Sequence, residues 1–324
     1  MPLVVDGFAL GSHPRAIQIV WFSLLIVAQA GLALLLLTYY LSKSEQPRIP
    51  SLYNVVFLSF LESIVYVILF YTGQYMNTDP PYIQCFLQAV LKHGLDPAFI
   101  VSSLLLVSET WLNTLQGPKK SSRPIIRQVT LLALPYFNAL LFAIPAAVLG
   151  LRFREKVVRG PHSFFCTIQD NLFGNLLTLE VSVMAAATLV CQVGLLITVR
   201  KRREASRSLG VTSSLDLSQI VRISIFNLWE LIGLVLSSKI TGDAVGGSLI
   251  GTSFLATVCI IFGAKRDILG YWGSKCRFRG PKKLREKSGL VTNRGLSKSA
   301  IQDDVDKRIS DSGVETVTLV GSTV

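Results

Sequence analysis

The sequence predicts an all-α membrane protein: a seven-transmembrane helix bundle, N-terminus outside and C-terminus inside, with a short amphipathic helix after the last span. Three observations predict it. Half of the 324 residues are hydrophobic and only 16% are charged, at a mean hydropathy of +0.50, which leaves too little charge to cover a soluble domain. The apolar residues fall in long runs and not in amphipathic stripes, as a bilayer requires. Lys and Arg gather between alternate runs, and this asymmetry sets orientation.

The runs cover roughly 17–41, 51–75, 83–115, 126–150, 172–199, 218–239 and 246–264. Each can cross a hydrocarbon core of about 30 Å at about 1.5 Å per residue. The third and fifth exceed that minimum, so they tilt or project beyond it. Gly246, Gly247 and Gly251 dilute the seventh. Residues 1–16 form an extracellular N-terminus without a signal-peptide pattern, and the first run acts as its own insertion signal. With that end outside, the cytoplasmic loops and tail hold 25 of the 32 Lys and Arg residues, against six on the external side. Lys92 is the remaining one, inside the third run. The exception to the asymmetry is the second external loop, with Arg152, Arg154, Lys156 and Arg159. A net charge of +12 does not imply nucleic-acid binding, because the cations flank apolar segments and no nucleic-acid module is present.

Beyond the bundle (17–264), residues 265–279 form a juxtamembrane amphipathic segment. Ile268, Leu269, Trp272 and Cys276 share one helical face, which lies on the inner leaflet and makes Cys276 a palmitoylation candidate. The cations from Arg277 to Lys287 attract anionic inner-leaflet lipids. Residues 280–324 read as a disordered cytoplasmic tail of mixed charge, ending in Ser322-Thr323-Val324, the form of a PDZ ligand.

Two of the five cysteines fall on the external side, Cys85 opening the third run and Cys166 in the second external loop. An oxidising exterior permits a disulfide between them; the alternative is two free thiols at the membrane edge. Ionisable groups at bilayer depth are costly and mark interiors or polar cavities. Here they are Glu62, Lys92, His93, Asp96, Glu180 and Glu230, the last beside Trp229. Lys92 and Asp96 stand one helical turn apart, so they form either a local ion pair or part of a ligand pocket in the outer half of the bundle. Pro97 frees a backbone carbonyl that Lys92 or His93 could satisfy. Candidate ligand-binding residues are therefore Lys92, His93, Asp96, Glu180, Trp229 and Glu230. Taken alone, His93 reads as a packed core histidine. No phosphate loop, nucleophile motif or metal-ligand spacing occurs, so neither an enzyme nor a cofactor or metal is expected.

Cys85-Phe86-Leu87-Gln88, Phe164-Phe165-Cys166 and Ile261-Phe262-Gly263-Ala264-Lys265-Arg266-Asp267-Ile268-Leu269 give the chain its family likeness. Over roughly residues 15–280 it resembles G-protein-coupled receptors, and most of all fungal seven-helix receptor-like proteins. By position, the resemblance places Lys92 at the ligand pocket and implies an anionic or carboxylate-bearing ligand. It aligns Glu109-Thr110-Trp111 with the acidic-Arg-aromatic motif, with Thr110 where the arginine stands in the family. The Asn-Pro-x-x-Tyr motif and the proline after the Trp229 position are both missing. The seventh run has no interior lysine, so a retinal Schiff base is not implied. The implied activity is a plasma-membrane receptor for an unknown extracellular ligand, coupled to a heterotrimeric G protein. Its partner-facing residues are Glu109, Lys119, Lys120, Arg123, Arg200, Lys201, Arg202 and Arg203, though these cations also set topology in any case. The rival class is a small-solute or ion transporter using the same intramembrane charges, and a third reading is a receptor fold that signals without a G protein.

Overall fold

The structure is a computed structural model, describing residues 13–41, 50–116, 125–160, 164–208, 217–239 and 244–263. Expectations for the amphipathic segment, the tail, Cys276, Lys119, Lys120 and Arg123 lie outside the described residues. Among those described are seven α-helices: α1 (Pro14–Leu41), α2 (Pro50–Tyr71), α3 (Tyr82–Gln116), α4 (Ile125–Arg152), α5 (Asn171–Ser208), α6 (Leu217–Lys239) and α7 (Ala244–Gly263). Between α4 and α5 lie a single 3-10 turn (Arg154–Lys156) and a two-stranded antiparallel hairpin. Its strands are β1 (Val157–Val158) and β2 (Thr167–Ile168), with Val157 opposite Ile168 and Val158 opposite Thr167. Among the described residues, α1 to α5 are long and apolar enough to cross a membrane, and Ser253–Gly263 is a shorter apolar stretch of α7.

Local chemistry explains the helix ends. Pro14 and Pro50 take the first positions of α1 and α2, where a missing N–H costs nothing. The second apolar run reads through residue 75, yet α2 stops at Tyr71. Gly73 has φ +72°, its N–H bonds Phe70 O at 3.0 Å, and Gln74 N bonds Leu69 O at 2.8 Å. These are the two reverse bonds of a Schellman end, and glycine adopts their left-handed residue without strain. At the start of α5, Asp170 Oδ1 accepts the Phe173 N–H at 3.0 Å, an N-cap. Helix α5 then runs nine residues past the expected end at 199, through the basic stretch Arg200 to Arg203.

Helix α3 is the hub, packing on α2, α4, α5 and α6. Burial separates inner from peripheral helices. In the most apolar stretches of α2 and α3, 56% of residues are buried, against 11% in α4 and 17% in α5. The outward side chains of α4 and α5, such as Phe137, Ile144 and Val190, are apolar and exposed, the surface that lipid tails would cover. Close approach of α3 and α5 depends on Gly194, because a Cβ there would lie 2.6 Å from the Trp111 ring. Trp111 in turn donates Nε1–H to Thr198 Oγ1 at 3.0 Å. The core centres on Trp21, Phe22, Leu25, Phe164 and Phe226, all at most 1% exposed.

Candidate ligand site in the helical bundle

Cys85 and Cys166 form a disulfide, with Cα atoms 5.2 Å apart. The bridge pins the hairpin to the start of α3, and two polar side chains complete the anchor. Gln88 Oε1 accepts the Cys166 N–H at 2.9 Å, while its Nε2 donates to Val65 O on α2 at the same distance. His93 Nε2 faces the Ile168 N–H at 3.3 Å and Thr167 Oγ1 at 3.2 Å, and its ring meets Phe173 edge-on. His93 is 6% exposed and holds the hairpin down.

The four cations of this loop, the exception to the expected charge asymmetry, have local partners. Lys156 Nζ lies 2.6 Å from Asp170 Oδ2. Arg152 stands over the Phe153 ring at 5.5 Å and Arg154 over Tyr82 at 5.1 Å. The buried Arg159 guanidinium donates to three carbonyls of the α2–α3 loop: Gln74 and Asn77 from Nη1 at 3.1 and 2.7 Å, Tyr75 from Nη2 at 2.9 Å. Burial pushes Arg159 down to about 10, still charged at neutral pH. The Lys156 hydrogen bond, and then the Phe173 N–H, hold the Asp170 carboxyl below its usual range. Between these two loops opens a polar cup of about 730 Å³, lined by Asp79, Tyr82, Arg154, Glu155 and Arg159 among others.

Beneath the hairpin sits the ionic pair. Lys92 Nζ and Asp96 Oδ2 are 2.6 Å apart, with side chains 12% and 23% exposed. Tyr66 of α2 donates its hydroxyl to Asp96 Oδ1 at 3.2 Å. The carboxyl of Glu62, also on α2, reaches Asp96 as well. The Lys92 ammonium stands 4.7 Å from the centre of the Phe165 ring and 5.9 Å from that of Tyr66. Lys92 therefore has a carboxylate on one side and an aromatic face on another. Neither Lys92 Nζ nor His93 Nε2 turns to the carbonyl freed by Pro97, because both bond elsewhere.

A second polar group joins α3 to α6. Ser103 Oγ lies against Glu230 Oε2 and 3.1 Å from Asn227 Oδ1, and Asn227 Nδ2 donates to Ile223 O at 2.7 Å. Glu230 is 3% exposed, and its Oε1 has no hydrogen-bond partner among the described residues. The remaining candidates stand apart. Glu180 Oε1 accepts from Asn138 Nδ2 of α4 at 2.6 Å, bridging two peripheral helices. Trp229 is 40% exposed and donates Nε1–H to Ser253 of α7 at 3.2 Å, on the outside of the bundle. Among the described residues, no group of three or more His, Cys, Asp or Glu side chains could hold a metal ion.

At the end of the bundle opposite the hairpin, Glu109 is buried. It accepts from Ser51 Oγ at 2.5 Å and from Ser51 N at 3.4 Å, so its carboxylate meets the N-terminus of α2, where the helix dipole favours an anion. Arg202 donates to Leu115 O at 2.9 Å, and Arg200, Lys201 and Arg203 are exposed. Tyr66, Gln88, Ser103, Asn227 and Arg159 were not among the sequence candidates. Asn227 stands three residues before Glu230 and so shares its face, a signal that was readable. Arg159 was visible as one of the four cations that break the expected charge asymmetry.

No protein-family model and no curated protein matches the chain. In fold it is similar to squid rhodopsin, whose crystal structure it matches at a TM-score of 0.55 and 12% sequence identity, over 89% of this chain and 89% of that one. Long apolar helices and this likeness together make the chain a multi-pass helical membrane protein with a rhodopsin-like fold.

Proposed function

We propose that the chain is a plasma-membrane receptor whose hairpin end faces outside, and which passes the binding of an extracellular ligand to a heterotrimeric G protein. The observation that carries the reading is the Lys92–Asp96 pair: a charged site inside a rhodopsin-like bundle, 12% and 23% exposed, roofed by a disulfide-anchored hairpin. Intramembrane ion pairs are costly, and a partly open one under a fixed roof suits recognition better than simple stability. A ligand carrying an anionic group would compete with Asp96 for the Lys92 ammonium, and displacing Asp96 would leave it against Glu62. That displacement couples binding to a rearrangement between α2 and α3. At the other end, Arg200, Lys201 and Arg203 on the extension of α5 supply an exposed basic surface for the G protein, which the sequence reading extends to Lys119, Lys120 and Arg123, outside the described residues. Among receptors, the fungal seven-helix set is the one its motifs resemble. Glu109 sits beside Thr110 and bonds Ser51, so switching here would run through the α2–α3 contact and not through an arginine lock.

The test is a ligand screen of the expressed protein with G-protein dissociation as readout, run beside solute uptake into vesicles. Ligand-dependent dissociation without uptake is expected. Uptake without dissociation would replace this reading with a transporter.

A further inference from the structure

The polar cup between the two loops is a concavity of its own, and none of Lys92, Asp96, Tyr66 or Phe165 lines it. Its walls are fixed. Cys85, bridged to Cys166, lies in one wall, and the Arg159 guanidinium clamps the hairpin to the carbonyls of residues 74, 75 and 77 in the other. Arg154 is held in the cup by an aromatic ring: its guanidinium stands 5.1 Å from the centre of Tyr82. That ring is itself fixed, because the Tyr82 hydroxyl donates to Gly150 O at 2.7 Å and the ring stacks on Phe86 at 5.6 Å. The Arg154 N–H groups make no hydrogen bond or ion pair among the described residues. Neither do the carboxylates of Asp79 and Glu155, which line the same cup; Asp79 uses only its backbone N–H, given to Asn77 Oδ1 at 3.0 Å. Gln74 spends its Oε1 on Asn77 Nδ2 at 2.8 Å and keeps Nε2 open, as Thr78 keeps its hydroxyl. One rigid cup thus presents a cation, two anions and two neutral donors, none paired with another.

We propose that this cup binds a short peptide, a few residues long with both termini free, its carboxylate on Arg154 and its ammonium on Asp79 and Glu155. The volume of about 730 Å³ falls within the roughly 300–1,000 Å³ that small-ligand sites span, enough for several residues. The planar fork of an arginine matches a carboxylate with two parallel hydrogen bonds. Charges of both signs on the walls disfavour a ligand that carries only one sign, since one wall would then repel it. Gln74 Nε2 and the Thr78 hydroxyl donate to peptide carbonyls between the termini. Because the walls are set before the ligand arrives, little of the binding free energy goes into ordering them. The proposal goes beyond the receptor reading and does not depend on it.

The experiment uses the full chain in lipid nanodiscs at about pH 7, where both termini of a peptide are charged. Triglycine is the probe, compared with its N-acetyl and C-terminal amide forms by saturation-transfer NMR. Expected is saturable binding of triglycine, weakened about fivefold or more by blocking either terminus, the factor a part-exposed charge-assisted pair supplies. Arg154→Gln should bind triglycine and its amide equally, and Asp79→Asn with Glu155→Gln should bind triglycine and its N-acetyl form equally. All three side chains are exposed, so these variants keep the fold, which an intact Cys85–Cys166 bridge verifies. Lys92→Met combined with Asp96→Asn should leave triglycine binding unchanged. No saturable binding, equal binding of all three peptides, or a discrimination that survives its own variant would overturn the proposal. Loss of binding in the Lys92 and Asp96 variant would place the peptide in the bundle and overturn it as well. Binding without any G-protein response supports the cup and counts only against the receptor reading.

Discussion

Replacing Lys92 by Met removes the ammonium that Asp96 faces at 2.6 Å and leaves Asp96 against Glu62, with the Tyr66 hydroxyl as donor. Breaking a fully buried ion pair costs about 3–5 kcal/mol, because the surviving charge is stranded in a low dielectric. Here the side chains are 12% and 23% exposed, so water screens part of the loss, and roughly 2 kcal/mol is expected. That corresponds to about a 30-fold fall in the folded-to-unfolded ratio. Asp96→Asn should cost less, since Lys92 keeps the Phe165 face and the nearby Glu62. The double variant should recover most of the stability, as both charges are gone together. Thermal aggregation of solubilised protein and surface expression would be measured for both singles and the double, with dose–response on those that reach the surface. If the double variant expresses normally but loses ligand response, Lys92 is a ligand contact. Normal expression with an unchanged half-maximal dose would refute that and leave Lys92 a structural partner. A Lys92→Met protein as stable as the parent would refute the energetic reasoning itself.

Three further outcomes follow from separate parts of the structure. Non-reducing peptide mapping should recover Cys85 and Cys166 in one linked peptide, and Cys166→Ser should cost about 2–5 kcal/mol because the bridge spans 81 residues of sequence; alkylation of both thiols without prior reduction would remove the bridge. Gly194→Ala should destabilise by about 1–3 kcal/mol, since its Cβ would meet the Trp111 ring at 2.6 Å, and Trp111→Leu should relieve part of the loss; additive costs in the double would show that the contact is not the cause. Asp170 gives a pH dependence: its folded value is depressed, by the Lys156 hydrogen bond first, so its contribution is present above the ordinary carboxylate value and is lost as pH falls through the lower folded one. Asp170→Asn keeps an N-cap but loses the ion pair, and should flatten the stability profile below about pH 4, as hairpin hydrogen exchange would read; an unchanged acid limb would rule the pair out as its source.

Much of this architecture was written locally in the chain. A span is a composition over about twenty residues, so α1 to α5 were readable before any tertiary contact was considered. Lys92 and Asp96 lie four apart on one helix, and helical geometry alone brings them together. The reading of the second run to residue 75 overshoots α2, because Thr72-Gly73-Gln74 follows Tyr71 and the left-handed Gly73 with its two reverse bonds stops the helix. Trp229 looked like a pocket residue by its neighbour Glu230, yet consecutive helix positions are about 100° apart, and the bundle turns one inward and the other outward. What tertiary structure alone decided are contacts between residues distant in sequence. Phe164 finds Trp21, Phe165 finds Lys92, Arg159 finds the carbonyls of residues 74, 75 and 77, Glu109 finds the start of α2, and Ser103 finds Glu230. None of these follows from spacing, because each depends on which helix faces which, and at what depth. That arrangement is set by the summed packing of α2, α4, α5 and α6 on α3 and of α1 and α7 on α2 and on each other, and no single segment carries it.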